Sequence, residues 1–362
     1  MQRRGAGSLT PKWMLAMLAV SMAAGCFGPE NAQDGGIEAP TDPGLAFVGT
    51  SQLLDARFDG GLSRAGGQVE VAALAWRPAA PAETVILLVH GFSGVKENYF
   101  HTLPERGVDV GGRLAETGRA VIAIDLPGYG ESGGVHTGAA AEVGSGIEDY
   151  AFVLDRIGAA LRTGSYELEG AEPVAFVKVV GLGVSMGGYT VDATQGLFGT
   201  FDAIIPTAAS HRGFRTDALL CPDAAVPGCD AFRPPNDDFE VENADPEVVS
   251  ATLAGYEAPH AANLASLAAW IGTCGNSLPV GACTETLLDQ NSQSIDVPVF
   301  SILGAEDHIV DASQAQAEPS YFPNSPDAQV LVLEGTGHMV LHHLNHVEVM
   351  LEIDGWLDER GL

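Results

Sequence analysis

Residues 178–190 read KVVGLGVSMGGYT, and this stretch decides the fold. An apolar run over 177–184 predicts a buried strand, and a helical stretch at 186–197 follows it. Between them, Gly183-Val184-Ser185-Met186-Gly187 fits G-x-S-x-G. In this setting the glycines let strand and helix approach closely, and the serine lies on a sharp, strained turn with its hydroxyl exposed. The stretch therefore predicts a nucleophilic serine, Ser185, at the carboxyl edge of a sheet.

The chain around this stretch alternates apolar strands with helical stretches. Besides 177–184, buried strands are predicted at 84–89, 120–124, 201–207, 297–303 and 329–333, and helices at 146–162, 186–197 and 346–357. Continuous apolar runs of this kind are typical of strands buried on both faces. The alternation predicts an α/β fold with a doubly wound, mostly parallel sheet. Upstream, 46–58 and 69–76 are expected to form an antiparallel pair at the sheet edge.

One interval interrupts the alternation. About 85 residues, 210–294, separate the strand ending near Thr207 from the strand starting near Val297, with a helical stretch at 260–271. A structureless loop of that length inside a compact domain is abnormal. We therefore expect an inserted cap over 210–294 and a core formed by 45–209 and 295–362.

The first 25 residues are predicted to be a signal peptide. A basic start precedes an apolar stretch at 13–24, and small residues then lead to Cys26. Ala23-Ala24-Gly25-Cys26 resembles the lipoprotein box of bacteria, which implies that Cys26 is lipidated and becomes the first mature residue. Plain secretion is the alternative. Residues 26–44 are rich in Gly, Pro and acidic residues and are expected to form a flexible tether.

Four further cysteines lie in the predicted cap: Cys221, Cys229, Cys274 and Cys283. Four cysteines allow three pairings. The simplest joins the first to the second and the third to the fourth, because each bridge then closes a short loop. A four-thiolate metal site is disfavoured, because the spacings exceed the two-to-four-residue gaps of structural zinc.

Composition excludes several classes of function. The 362 residues include 17 Lys+Arg against 47 Asp+Glu, a formal net charge of -30. Such acidity repels nucleic acid and anionic membranes. No apolar run reaches the roughly 18 residues of a transmembrane helix, so any membrane attachment is expected to be through a lipid on Cys26.

A serine nucleophile needs a base that is oriented by an acid. Asp307 follows the strand at 297–303, and His338 follows the strand at 329–333. Loops at the carboxyl ends of neighbouring parallel strands converge on one crevice. We therefore expect Ser185, Asp307 and His338 to meet above the sheet. Glu306, next to Asp307, is the alternative acid.

Two more motifs complete a resemblance to a known family. They are His90-Gly91-Phe92 and the turn at 125–132, DLPGYGES. Together with the serine turn, the acid and the base, they resemble the α/β-hydrolase family over residues 45–362. The resemblance implies that Ser185 attacks a carbonyl, that His338 transfers its proton and that Asp307 orients His338. It also implies an oxyanion hole formed by the backbone N–H groups of Phe92 and Met186, and no metal or organic cofactor.

Other polar residues near these motifs have simpler interpretations. His90 is expected to brace the oxyanion loop. Asp125 is expected to form the turn at 125–132 and not to act in catalysis. His211, after the strand at 201–207, is expected to be an exposed loop residue, with a place in the cleft as the alternative. Three histidines crowd the region after His338, but acidic ligands with matching spacing are missing, so no metal site is expected there: His342, His343 and His346.

The leading hypothesis is an exported serine hydrolase that acts on carboxylic esters. A peptidase of the same fold is the alternative. Acidic groups in the cap that bind the free amine of a short peptide would favour it. Those acidic residues are Asp223, Asp230, Asp237, Asp238, Glu240 and Glu242. A non-catalytic binding protein on this fold would need a broken triad. The expected partner is thus a small ester or short peptide, and the sequence leaves the oligomeric state open.

Overall fold

A nine-stranded sheet organises the chain in the computed structural model. The structure describes residues 51–62, 68–92, 94–133, 146–212, 236–255, 286–310, 312–313 and 315–362. All of them belong to one compact unit, residues 47–362. The predicted signal peptide, the tether, Cys26, the four cap cysteines and the predicted helix at 260–271 lie outside the described residues.

The strands run in chain order as β1 (Gln52–Leu62), β2 (Gln68–Arg77), β3 (Thr84–Val89), β4 (Ala120–Ile124), β5 (Glu167–Leu168), β6 (Lys178–Val184), β7 (Ala203–Thr207), β8 (Val299–Gly304) and β9 (Ala328–Leu333). Across the sheet the order is β5-β1-β2-β4-β3-β6-β7-β8-β9. From β4 to β9 neighbouring strands pair in parallel, whereas β1, β2 and β5 pair antiparallel. The predicted doubly wound, mostly parallel sheet with an antiparallel pair is confirmed.

Seven α-helices lie among the described residues: α1 (Lys96–Phe100), α2 (Val110–Glu116), α3 (Ile147–Thr163), α4 (Met186–Phe198), α5 (Pro246–Ala254), α6 (Leu287–Ser292) and α7 (His346–Asp358). The three predicted in this part of the chain correspond to α3, α4 and α7, with ends that agree within a residue. β8 begins two residues later than predicted, because Pro298 has no N–H to donate to a strand ladder.

The core consists of two layers, one on each face of the sheet. Successive side chains of a strand point to opposite faces. Accordingly Val85 and Leu87 of β3 join a buried cluster with α3 and α4, whereas Ile86 and Leu88 join one with α1, α2 and α7. Burial on both faces explains why this strand is apolar throughout, and the layers hold the carboxyl ends of the parallel strands in place.

Parts of the predicted insert are described, and they contact the core. Asn98 Nδ2 of α1 donates a hydrogen bond of 2.8 Å to Thr252 O of α5. On the other side, Asn291 Nδ2 of α6 donates to Asp192 O of α4 at 2.9 Å. The bounds 210–294 for the insert stay a prediction. Among the described residues, no helix combines the length and apolar character needed to cross a membrane.

Candidate active site

Ser185 occupies a strained turn between β6 and α4. Its backbone has φ 55° and ψ -119°, a positive-φ conformation that residues other than glycine rarely adopt. Ser185 N–H donates to Thr207 O of β7 at 2.8 Å, which fixes the turn. A Cβ at Gly183 would collide with the Gly187 carbonyl, and a Cβ at Gly187 would collide with Val89 O. The two glycines are therefore needed for the close approach of strand and helix.

Asp307 and His338 form a buried hydrogen-bonded pair. Asp307 Oδ2 lies 2.8 Å from His338 Nδ1, and only 2% and 6% of the two residues are exposed. The other carboxylate oxygen, Oδ1, accepts from Ile309 N–H and Val310 N–H, each at 2.8 Å. Because an ionised carboxylate only accepts, the His338 proton lies on Nδ1, and Nε2 remains as the proton acceptor.

The loops that carry the acid and the base are also in direct contact. A Cβ at Gly304, the last residue of β8, would collide with the carbonyl oxygens of Thr336 and Gly337. Ser185 follows β6 at the same edge of the sheet, with β7 between β6 and β8. Within the described part of the chain, no hydrogen bond joins Ser185 Oγ to His338. In hydrolases without substrate this contact is often long and tightens only when substrate binds.

Of the two residues expected to form an oxyanion hole, Met186 directly follows Ser185, and Phe92 belongs to a loop that approaches it. Gly91 lies so close that a Cβ on it would be 3.2 Å from Ser185 Cβ. Phe92 follows Gly91 in this loop, and Met186 is the first residue of α4. The first N–H groups of a helix have no acceptor inside the helix, so they suit a developing negative charge. Met186 thus adjoins the serine in the chain, and Gly91, the neighbour of Phe92, lies against it in space.

His90 braces the loop of Gly91 and Phe92, as expected. His90 Nδ1 donates to Gly91 O at 2.7 Å, and Nε2 accepts from Leu126 N–H at 2.9 Å. Both ring nitrogens are therefore engaged by the backbone. Complete burial lowers the pKa of His90, so the ring is neutral and holds the loop without transferring protons.

Asp125 forms its turn, as expected, and also belongs to a buried ion pair that the sequence did not predict. Its carboxylate accepts from Lys96 N–H and Lys96 Nζ, each at 2.8 Å, and from Glu131 N–H at 2.9 Å. Burial opposes the charged ammonium, but Asp125 and Glu97 raise the pKa of Lys96. The chain has only three lysines, and Lys96 lies four residues after the His90-Gly91-Phe92 motif. A rare lysine at this place was a signal from which the ion pair could have been suspected.

The histidines after His338 have structural partners. His342 Nε2 donates to Tyr99 O at 2.8 Å, and burial lowers the pKa of His342 to about 4. His343 Nε2 lies 3.1 Å from Asp238 Oδ1, and His346 Nδ1 donates to His343 O at 2.9 Å. In the described ranges, no group of three or more His, Cys, Asp or Glu side chains is arranged to hold a metal ion.

The expectation of an exposed loop for His211 is wrong. Only 7% of His211 is exposed, because Tyr321 stacks on its ring at 4.5 Å and Phe322 packs edge-on against it at 4.9 Å. His211 Nδ1 lies 2.8 Å from Glu318 Oε2, and Nε2 lies 2.8 Å from Ser292 Oγ. Ser292 Oγ also contacts both Asp192 carboxylate oxygens, at 3.0 and 2.9 Å. The result is a buried polar cluster that joins four parts of the chain.

Removing the carboxylate from this cluster is expected to be costly. Glu318 also accepts from Ser210 Oγ at 2.7 Å and from His211 N–H at 3.0 Å, so Glu318→Ala removes the carboxylate that three buried donors share. We expect the free energy of unfolding to fall by about 3–5 kcal/mol, measured from urea denaturation at constant m. Glu359→Ala, at a side chain that is 76% exposed, is the control and is expected to stay within about 0.5 kcal/mol. Equal unfolding midpoints for the two variants would contradict this account.

Comparison with known proteins agrees with the fold described above. The model of the alpha/beta hydrolase family matches residues 86–352, which is 267 of the 362 residues. No curated protein sequence matches the chain.

Solved structures with the same fold include three named hydrolases. A thermophilic esterase from Thermogutta terrifontis is 20% identical, with a TM-score of 0.55 and coverage of 84% of this chain and 98% of that one. An esterase from Pyrococcus furiosus is 13% identical, with a TM-score of 0.50 and coverage of 86% and 93%. A peroxisomal alpha-beta-hydrolase from Saccharomyces cerevisiae is 14% identical, with a TM-score of 0.53 and coverage of 86% and 88%. At these identities the likeness establishes the fold.

Proposed function

This chain belongs to the alpha/beta hydrolase family, and from that premise we propose that it is a serine hydrolase that cleaves carboxylic esters through Ser185, His338 and Asp307. The observation that carries the proposal is the buried Asp307–His338 pair, which leaves His338 Nε2 as an acceptor at the edge of the sheet where Ser185 lies. A nucleophile on a strained turn, a base and an orienting acid are the parts that acyl transfer requires.

The proposed reaction has two halves. Ser185 Oγ attacks the ester carbonyl while His338 Nε2 takes the hydroxyl proton, and Asp307 stabilises the imidazolium that forms. The backbone N–H groups of Phe92 and Met186 bind the oxyanion. His338 then gives its proton to the departing alcohol, which leaves an acyl group on Ser185. Water, deprotonated by His338, releases the acid and restores the serine.

Activity is expected to rise with pH through an inflection above 6.5. Burial opposes a charged ring, but the charge and hydrogen bond of Asp307, with a further contribution from Asp238, raise the pKa of His338 above its ordinary 6.5. His338 must be neutral to accept the Ser185 proton, so activity is lost on the acid side of that pKa. The measurement is kcat/KM from about pH 5 to pH 9. A plateau that continues below pH 6 would contradict the assignment of His338 as the base.

The test of the function compares two substrate series on the full chain. p-Nitrophenyl esters from C2 to C16 are assayed beside aminoacyl p-nitroanilides, and a fluorophosphonate probe identifies the labelled residue by mass spectrometry. Ester turnover with probe on Ser185 supports the proposal, and the best acyl length measures the acyl pocket. Dominant anilide turnover would favour the peptidase instead. Turnover of neither series, with Ser185 unlabelled, would refute the proposed hydrolase.

We also propose that the chain is exported and carries a lipid on Cys26, with two disulfides in the cap. The basis is the composition of residues 1–44 and the even number of remaining cysteines. In a bacterial host, incorporation of labelled palmitate into the full chain is expected, and none into Cys26→Ala. Incorporation that persists in this variant would overturn the anchor. Peptide mapping without reduction tests the disulfides, and four free thiols would exclude them.

A further inference from the structure

The insert is hydrogen-bonded to the loop that carries His338. Asn243 N–H donates to Gly335 O at 2.9 Å, and Asn243 Nδ2 donates to Glu334 O at 3.0 Å. On the far side of His338, Leu344 N–H donates to Asn243 O at 2.8 Å. One residue of the predicted insert therefore hydrogen-bonds to the chain both before and after His338.

A buried carboxylate of the same segment reaches closer to the base. Asp238 is 0% exposed, and its Oδ1 accepts from Met339 N–H at 3.2 Å. The same oxygen lies so near Gly337 that a Cβ there would collide with it. Gly337 and Met339 are the two neighbours of His338 in the chain. Asp238 thus packs against the backbone on both sides of the base, and the glycine at 337 permits this approach.

The charge of Asp238 is only partly compensated. His343 Nε2 lies 3.1 Å from Asp238 Oδ1, and it also lies 3.2 Å from Gly337 N. When Nε2 accepts from Gly337 N–H, it has no proton to donate to Asp238. Among the described residues, Asp238 Oδ2 and His343 Nδ1 have no hydrogen-bond partner. A carboxylate buried with few donors exerts a strong field, because surrounding groups screen it poorly.

Two carboxylates act on His338, and one histidine, His343, lies against the second of them. Asp307 lies on the loop after β8, Asp238 on the insert, and His343 follows on the loop of His338 itself. Asp307 engages the ring at Nδ1, whereas Asp238 engages the neighbouring backbone. The two carboxylates therefore contact different parts of this loop: Asp307 contacts the imidazole, and Asp238 contacts the backbone beside it.

We propose that Asp238 is a positioning residue of the hydrolase site, through which the insert holds the base-bearing loop and adds negative charge beside His338. The inference rests on the proposed function, since it assigns His338 as the base. It also means that Asp238, although acidic and in the insert, is not available to bind a substrate amine, because its side chain is fully buried.

Asp238→Asn is the central variant, because it removes the charge and keeps an oxygen that accepts from Met339 N–H. The pH inflection of kcat/KM for p-nitrophenyl ester hydrolysis is expected to move down by about 0.5–1 unit, since a nearby negative charge no longer favours imidazolium. Looser placement of the base is expected to lower kcat by about 10-fold with KM little changed. NMR titration of the His338 ring, assigned with His338→Gln, is expected to show the same downward shift.

Asp245→Asn is the matched control. Asp245 belongs to the same segment and caps α5, where its carboxylate contacts Arg106 and the N–H groups of Glu247 and Val248. Asn caps a helix about as well as Asp, so the fold is retained and one negative charge is removed. The inflection and kcat of this variant are expected to match the wild type. Should Asp238→Asn fail to fold, Asp238→Ser keeps a hydroxyl acceptor and is expected to give the same shift.

The outcomes separate this inference from the proposed function. Wild-type protein without Ser185-dependent hydrolysis would refute the function, and the NMR titration would still decide the role of Asp238. An unchanged His338 titration in Asp238→Asn and Asp238→Ser, with only the melting temperature lowered, would overturn the inference and leave Asp238 a packing residue. An equal shift in Asp245→Asn would also overturn it, because the effect would then reflect net charge alone.

Discussion

Replacing Ser185 with alanine is expected to lower kcat for ester hydrolysis by about 10,000-fold or more. Without the hydroxyl no acyl-enzyme forms, and only binding and the oxyanion hole still favour reaction with water. The free energy of unfolding is expected to change by less than about 0.5 kcal/mol. Ser185 Oγ makes no hydrogen bond within the described residues, and alanine meets the same backbone strain at φ 55°. Burst and steady-state kinetics with a p-nitrophenyl ester, beside thermal unfolding, measure both quantities.

Ser320→Ala is the control for this experiment. Ser320 is exposed, and its hydroxyl donates only to Ala317 O in the same helical turn. Its turnover is expected to equal that of the wild type. If Ser185→Ala keeps its turnover while folded, the nucleophile lies elsewhere and the proposed mechanism is wrong.

Replacing Asp307 with asparagine is expected to lower kcat by about 10,000-fold, although the two side chains have the same shape. Oδ1 of Asp307 faces two N–H donors, from Ile309 and Val310, so the amide oxygen of asparagine takes that place. The amide NH2 then points at His338 Nδ1, which must accept instead of donate. The ring proton moves to Nε2, and the nitrogen needed to accept the Ser185 proton is blocked.

Glu306→Gln distinguishes the two candidate acids. Glu306 is exposed, whereas Asp307 is buried on His338. We expect near wild-type kcat and pH dependence for this variant. A large loss in Glu306→Gln with normal rates in Asp307→Asn would transfer the role of the acid to Glu306. Far-ultraviolet circular dichroism of both variants shows whether either loss follows from unfolding.

The long strands and helices were predictable because their apolar patterns are local. Thr84–Val89 is apolar because both of its faces are covered, and α3 shows its buried face at helical spacing. The shorter elements were not predictable, because a local pattern needs several residues to become visible. α1 has five residues and β5 has two, which is too short for any period to show. Their conformation depends on packing against the sheet.

The candidate site was predictable where motif and strand end coincide. Ser185, Asp307 and His338 each follow a strand that the sequence indicates, so parallel topology predicts that they converge, and the structure pairs Asp307 with His338. His211 follows β7 in the same way but is buried against Glu318, a residue 107 positions away along the chain. Asp238 lies in a segment without a strand or long helix, and only its contacts show what it faces.

The amino-acid sequence alone was sufficient to predict an α/β fold and the order of the candidate residues along the chain. That order is a serine on a glycine-flanked turn, then an acid, then a base. These features are set by neighbours within a few residues, where sterics and alternation of apolar side chains act. The tertiary structure decided which oxygen of Asp307 faces His338, that His211 is buried, and that Asp238 flanks the base. Those outcomes depend on hydrogen bonds and burial between distant segments, which form only when the chain has folded and water is excluded.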